Sequence, residues 1–317
     1  MKKAITITII FEADALNRGE KIAGNIPSIK KLTRGWGDTY SYISRPAMRH
    51  YLWSTLHITN PERWKEASVT KAKSEGGDKV IQFDLERGNI REYAELDVFG
   101  YMGTKGEGKA ITRKACVGIT KAVLLEPWTG DIAFYANHDL VRGYIKENPD
   151  SKLEPNPYTP EEHRSIYKVS FTVDCKKIGV DESGQTILEE GEKKERIKDI
   201  LNAIYNGLYY HSSGECPGIV PLFLVSGILK VPIPVFHSFV DVEFYHKNHR
   251  PKFKIREDLL KKSLFNGWIE LETKDNKSKK LVYLESREPE ALSEEFIQEN
   301  SFTTNWEDFI KILFDEK

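Results

Sequence analysis

The chain predicts an α+β fold on a split βαβ, or ferredoxin-like, framework with an antiparallel sheet. Three observations carry this. Four segments show the alternation of half-buried strands, two show helical apolar periodicity, and their order along the 317 residues is β, α, β, β, α, β. RNA-recognition modules share that order.

The first strand is Ile5, Ile7, Ile9 and Phe11 alternating with Thr6, Thr8 and Ile10. Lys2 and Lys3 before an apolar run resemble a secretory leader. But Thr6 and Thr8 interrupt the run, Glu12 and Asp14 follow at once, and no small-residue cleavage site appears, so a strand is the reading. Ser44 caps a first helix reaching about Leu56, with Pro46 tolerated in its first turn. Ala47, Met48, Tyr51, Leu52 and Thr55 form one arc of it; Arg45, Arg49 and Trp53, four apart, form the neighbouring arc.

The second strand places Val117, Ile119, Val123 and Leu125 on one side, with Lys121 the exception. The third is Tyr167, Val169, Phe171, Val173 and Cys175 alternating with Lys168, Ser170, Thr172 and Asp174. A second helix covers about Lys193 to His211 on the apolar face Ile197, Ile200, Leu201, Ile204 and Leu208, and a fourth strand is expected between Ile233 and Phe244. After about Arg256 the chain reads as helical and acidic, with a strand near Leu281 to Leu284.

Two insertions interrupt this frame, one between the first helix and second strand, one between the second and third strands. Both exceed plain connections in length. The first is rich in Lys, Gly and Glu; the second carries Glu154-Pro155-Asn156-Pro157-Tyr158-Thr159-Pro160, an extended or turn-like run.

Composition is that of a water-soluble protein, 39% hydrophobic and 30% charged, with no apolar run long enough to span a bilayer. Cys116, Cys175 and Cys216 are far apart and form no Cys-x-x-Cys pair, which excludes a zinc ribbon or disulfide framework and fits a reduced, cytoplasmic setting. The net charge of −1 is unevenly spread. Residues 1–60 carry nine basic groups against four acidic, +5, while residues 288–317 carry nine acidic against two basic, −7. That asymmetry is compatible with a polyanion site near one end, but on charge alone two solvated surfaces are the better reading.

Two stretches can carry chemistry. The first runs from Asn17 to Arg49: Asn17-Arg18-Gly19, Gly24-Asn25, Lys30-Lys31, Gly35-Trp36-Gly37 and the helix start Ser44-Arg45-Pro46. Small residues permit close backbone approach, Asn and Ser donate to phosphate oxygens, Lys and Arg neutralise them, and a helix N-terminus adds its dipole. Trp36, Tyr40 and Tyr42 can stack on bases. The second stretch, Asp97 to Lys109, ends in Gly103-x-x-x-x-Gly108-Lys109, the spacing of a P-loop. Ala110 stands where magnesium binding needs Ser or Thr, so a flexible basic loop with Lys105 and Lys109 touching nucleic acid is preferred to nucleotide binding. No metal site, no cofactor and no catalytic arrangement is evident.

Taken together these residues resemble the backbone-subunit family of type I CRISPR Cascade complexes, more narrowly its DevR-type branch associated with subtype I-B. The resemblance rests on the Ile-rich first strand into Glu12-Ala13, Asn17-Arg18-Gly19, Asn25-Ile26, Lys30-Lys31, Tyr42-Ile43-Ser44-Arg45 with Arg49, and Asp97-x-Phe99-Gly100-Tyr101-Met102. It extends over residues 1 to about 245 and leaves the acidic C-terminal segment unmatched.

The resemblance implies a modified RNA-recognition palm (residues 1–56, 116–125 and 166–255), fingers at 57–115 and a thumb at 126–165; outside it, residues 256–317 are read as an acidic, partly helical segment. It also implies a non-catalytic subunit whose copies stack along one CRISPR RNA. Each copy holds the RNA backbone while its bases pair with target DNA, beside a handle-binding subunit, a repeat-processing endonuclease and a large PAM-reading subunit. On this sequence Lys30, Lys31, Arg45 and Arg49 then neutralise phosphates, Asn17, Arg18 and Asn25 position the sugar-phosphate chain, Ser44 opens the helix, and Met102 wedges beside a kinked base. The rival is an RNA endonuclease of the same superfamily, for which Asp14, Asp38, Asp97, Asp131 and His211 are conceivable but no arrangement singles one out.

Overall fold

In the computed structural model β1 (Ala4–Ala13) has both faces buried: Ile5, Ile7, Ile9 and Phe11 on one, Thr6, Thr8 and Ile10 on the other. A strand buried on both faces must be central. The description covers every residue except 15–17, 24–25, 74–78, 106–108, 211–217, 249, 275–276, 301 and 316–317.

Along the chain β1 is followed by β2 (Lys31–Thr33), β3 (Thr39–Ile43) and α1 (Arg45–Thr59), then α2 (Ala94–Phe99), β4 (Val117–Ile119) and β5 (Ala122–Leu124). After them come β6 (Ser165–Asp174), α3 (Glu190–Asn206), β7 (Pro221–Leu229), β8 (Val282–Ser286) and α4 (Trp306–Phe314). The strands form one eight-stranded antiparallel sheet in the order β8-β7-β1-β6-β5-β3-β2, with β4 also pairing β6. The chain is thus mixed α/β around a large antiparallel sheet.

Each face of the sheet has its own core. On one, Ile5, Ile7, Ile9, Val169 and Phe171 pack with Met48, Tyr51 and Leu52 of α1, Ile197, Ile200 and Ile204 of α3, and Phe309 and Leu313 of α4. On the other, Ile10, Phe223, Val225 and Leu229 pack with Phe236, Phe253, Leu260 and Phe296. The buried hydroxyls between them are satisfied: Ser226 Oγ donates to Thr6 O (2.9 Å) and Thr8 Oγ1 lies 2.7 Å from Ser170 Oγ.

Ser44 is the N-cap of α1 as expected, and that helix runs three residues beyond Leu56. Three expectations are corrected. The fourth strand of the sheet is β7 at Pro221–Leu229; within the expected span residues 235–239 form turns, and only Val242–Phe244 are strand, opening a separate hairpin with Arg250–Ile255. The second helix ends at Asn206, because Gly207 leaves it at φ 125°. The second strand is broken. Ile119 faces Phe171 and Val123 faces Lys168, so four steps on one strand oppose three on the other. This is a β-bulge, and it reverses the parity: Ala122 and Leu124 are buried in the core that Val117 faces, Val123 packs against it only partly buried, and Leu125 packs on the other core.

The C-terminal segment is partly helical, with helices Glu257–Ser263 and Glu294–Asn300 besides α4, and it packs into the main fold. Its strand β8 joins the sheet and α4 enters the first core. Its acidic groups fold over basic ones, Glu290 on Lys247, Glu288 on Lys252 and Glu299 on Lys261.

The first insertion holds the antiparallel hairpins Val69–Lys73/Lys79–Phe83 and Tyr101–Lys105/Lys109–Arg113. Its root is locked by Asp97, which is 0% exposed. The carboxylate accepts from Arg113, from Arg196 Nη1 of α3 (2.9 Å) and from the Gly179 N–H (3.0 Å). The second insertion forms an arm in which Asp131–Ile132 pairs Glu161–Glu162, Tyr135–Ala136 pairs Pro157–Tyr158, and the helix His138–Glu147 has no buried residue.

Candidate nucleic-acid interface

Where β3 runs into α1, the chain builds a groove of about 520 Å³ lined by Tyr42, Ser44, Arg45, Pro46, Arg49, Phe99, Ala115, Val117, Ile119 and Lys121. Ser44 has extended backbone (φ −69°, ψ 154°), and its Oγ accepts from the Ala47 N–H at 3.4 Å. That directs the helix N-terminus into the groove, an end that favours anions. Arg45 is exposed and makes no ion pair among the described residues. Arg49, one turn on, lies 5.0 Å over the Phe99 ring and 3.6 Å from Glu95. Burial pushes the Glu95 carboxyl upward, against the pull of Arg49.

Phe99 links the groove to the first insertion. Gly100 follows it at φ +67°, where an added Cβ would stand 2.3 Å from Arg113 O, so only glycine turns the chain here. The hairpin Tyr101–Lys105/Lys109–Arg113 then leaves the rim between Phe99 and Ala115. Met102 stands on it 77% exposed, opposite Thr112. Lys105 and Lys109 face each other at its far end; their side chains lie outside the description.

Of the expected site residues, the groove therefore unites Ser44, Arg45 and Arg49, with Met102, Lys105 and Lys109 on a hairpin from its rim. Asn17 and Asn25 lie outside the described residues. Arg18 lines a separate cavity with Asp14, Glu126, Thr129, Asp131, Glu162, His163 and Arg164. Lys30 is half-buried beside β2, its carbonyl accepting from the Tyr42 N–H (2.9 Å). Lys31 is engaged at the root of the arm, with Nζ 2.7 Å from Glu161 Oε1 and 3.9 Å over the Trp128 ring. Phe99 and Lys121 belong to the groove without having been expected as site residues. The one signal for Lys121 was its exception to the apolar alternation.

The opposite sheet face is occupied. Lys168 Nζ donates to Val240 O (2.7 Å), Ser170 Oγ lies 2.9 Å from His237 Nδ1, and the Phe236 ring packs onto Gly227. Burial beside Lys168 and Arg34 holds His237 down at about 4, and burial brings Lys168 down to about 8. Trp36, 84% exposed, caps the β2–β3 turn.

Gly103 to Lys105 and Lys109 lie on the paired strands of an antiparallel hairpin, not between a strand and a helix, so the P-loop reading is overturned. Asp97 is consumed by its arginines. Asp14 and Asp131 share the cavity with Arg18, but no group of three or more His, Cys, Asp or Glu among the described residues is arranged to hold a metal. Asp38 is exposed in a turn, and His211 lies outside the described residues. No helix is long and apolar enough to cross a membrane among the described residues.

The family model for the CRISPR-associated negative auto-regulator DevR/Csa2 matches residues 5–250. A relative named CRISPR-associated protein Cas7/Cst2/DevR, from Myxococcus xanthus (strain DK1622), is 28% identical over 187 residues, 56% of this chain; the match spans 58% of that relative's length. Among solved structures, a chain of a CRISPR RNA-guided surveillance complex aligns with TM-score 0.55 at 12% identity, over 98% of both chains. A chain of a second such complex, described as pre-nicking, aligns with TM-score 0.51 at 11% identity, over 74% of this chain and 82% of that one. At these identities the structures speak for the fold alone. Over residues 5–250, which take in the groove, the first insertion and the sheet apart from β8, this chain belongs to the DevR/Csa2 family of CRISPR-associated proteins.

Proposed function

We propose that this chain is a non-catalytic, guide-RNA-binding backbone subunit of a CRISPR surveillance complex, of the type I-B kind. The observation that carries it is the groove at the start of α1. An anion-favouring helix end, Arg45 and Arg49 line an open cleft, and an exposed hairpin with Met102 rises from its rim. Those are the parts a sequence-independent grip needs, because base pairing and not protein contact must read the target.

The strand order β7-β1-β6-β5, with α1 and α3 on one face, supports a ferredoxin-like, RNA-recognition palm. The occupied second face is no open platform, which favours the helix-side groove as the RNA path. Residues 57–115 then serve as fingers and 126–165 as a thumb. Ile132, Phe134, Leu140, Tyr144, Leu153 and Tyr158 are exposed on that arm, an apolar surface suited to the next copy along the guide. Target DNA comes through guide pairing, in the cytoplasm, with the other complex subunits as partners.

The test is RNA binding by the full chain across a salt series, with and without Arg45→Ala and Arg49→Ala combined. Losing two single-strand phosphate contacts lowers the salt slope by about 1.4. An unchanged affinity and slope would reject this site.

A further inference from the structure

We infer that Lys121 is a further backbone-gripping residue, the second wall of a clamp that holds one nucleotide of single-stranded RNA. This rests on the proposed function of the same groove. Three independent features lead to it.

The first is the bulge between β4 and β5. The alternation of Val117 and Ile119 carries on to Lys121, and all three line the groove. Beside it, Thr120 donates its N–H to Ser170 O (3.0 Å) and its Oγ1 accepts from the Ser170 N–H (2.9 Å), which absorbs the extra residue. The bulge sends the following residues, Ala122 and Leu124, into the core and leaves Lys121 on the groove wall. Its Nζ stands 4.8 Å over the Tyr42 ring.

The second is charge. Lys121 is exposed and has no carboxylate partner among the described residues, whereas Lys31 is held by Glu161 and Arg49 lies beside Glu95. Arg45 and Lys121 are therefore the two uncompensated cations of the groove, one from the helix and one from the sheet. A phosphate entering between them meets positive charge from both sides and the helix end from a third.

The third is the floor. A phosphate-only site is polar throughout, but here Tyr42, Phe99, Val117 and Ile119 lie beneath the cations. Apolar and aromatic surface beside ammonium and guanidinium groups matches the chemistry of a nucleotide, whose sugar and base face is apolar and whose phosphate is anionic. The groove's described lining is cationic and apolar, surfaces that meet phosphate, sugar and base face alike, so the clamp is indifferent to sequence.

The experiment measures binding of the full chain to a fluorescein-labelled single-stranded RNA of mixed sequence over a salt series. The variants are Lys121→Met, Lys121→Arg and Arg45→Ala with Arg49→Ala. Lys121→Met keeps the aliphatic stem on Tyr42 and removes the charge. It should weaken binding severalfold and lower the slope of log K against log salt by about 0.7, with the melting temperature unchanged. Lys121→Arg should restore both. If Lys121→Met leaves affinity and slope as they were while the double arginine variant loses both, the clamp is refuted and the groove stands. If the double variant is also unchanged, the groove itself is refuted.

Discussion

Replacing Asp97 by Ala removes the carboxylate on which the first insertion is anchored to α3. The side chain is 0% exposed and satisfies Arg113, Arg196 and the Gly179 N–H. Removing one partner of a buried charged set strands the others, at about 3–5 kcal/mol. At roughly 2 °C per kcal/mol for a chain of this size, the melting temperature should fall by about 6–10 °C. The arginines cannot simply be made apolar as compensation. Arg113 also donates to Asp97 O, Val180 O and Lys177 O, and Arg196 to Ile90 O and Arg91 O. The triple change Asp97→Ala, Arg113→Met, Arg196→Met should therefore remain less stable than the parent. Circular-dichroism melts decide it. A shift under 2 °C for Asp97→Ala, or full recovery in the triple variant, would refute the reasoning.

Cys116 and Cys175 are buried and burial pushes both thiols up to about 12, so in a Cys216→Ser background a thiol reagent should label the chain only on unfolding; labelling of the native chain would contradict their burial. His237 is held neutral to about 4 in the fold against about 6.5 unfolded. Protons then favour the unfolded chain between those values, so stability should fall as pH drops from about 6.5 toward 4, and His237→Gln should flatten that window of the urea-midpoint profile. Glu161 accepts from the Ile29 N–H (2.8 Å) and from Lys31, so Glu161→Ala should speed proteolytic cutting within the arm, residues 126–165, and cutting at the parental rate would contradict that anchoring role.

Legibility in the sequence followed the chemistry of each element. Strands β1 and β6 announced themselves because small or β-branched residues alternate along them. Strand β7 did not, because Pro221 to Leu229 is apolar on both faces and shows no period. The cap at Ser44 is a local hydrogen bond and was readable locally. The bulge beside Lys121 is set by pairing with a strand some fifty residues on, so only the broken pattern hinted at it. The same limit hid two ion pairs. Lys31 meets Glu161 across 130 residues, and Asp97 meets Arg196 across 99. Basic residues in one sequence window thus divided between the groove and the arm's root, a partition that only the tertiary structure makes.

The most direct test of the central claim is photocrosslinking of the assembled complex carrying a 4-thiouridine guide RNA, with the crosslinked peptides mapped by mass spectrometry. Crosslinks concentrated on Tyr42 to Arg49, Phe99 to Met102 and Ile119 to Lys121 are the predicted result. Crosslinks that avoid all three segments and fall instead on the sheet face covered by residues 233–241, or on none of the chain, would contradict it.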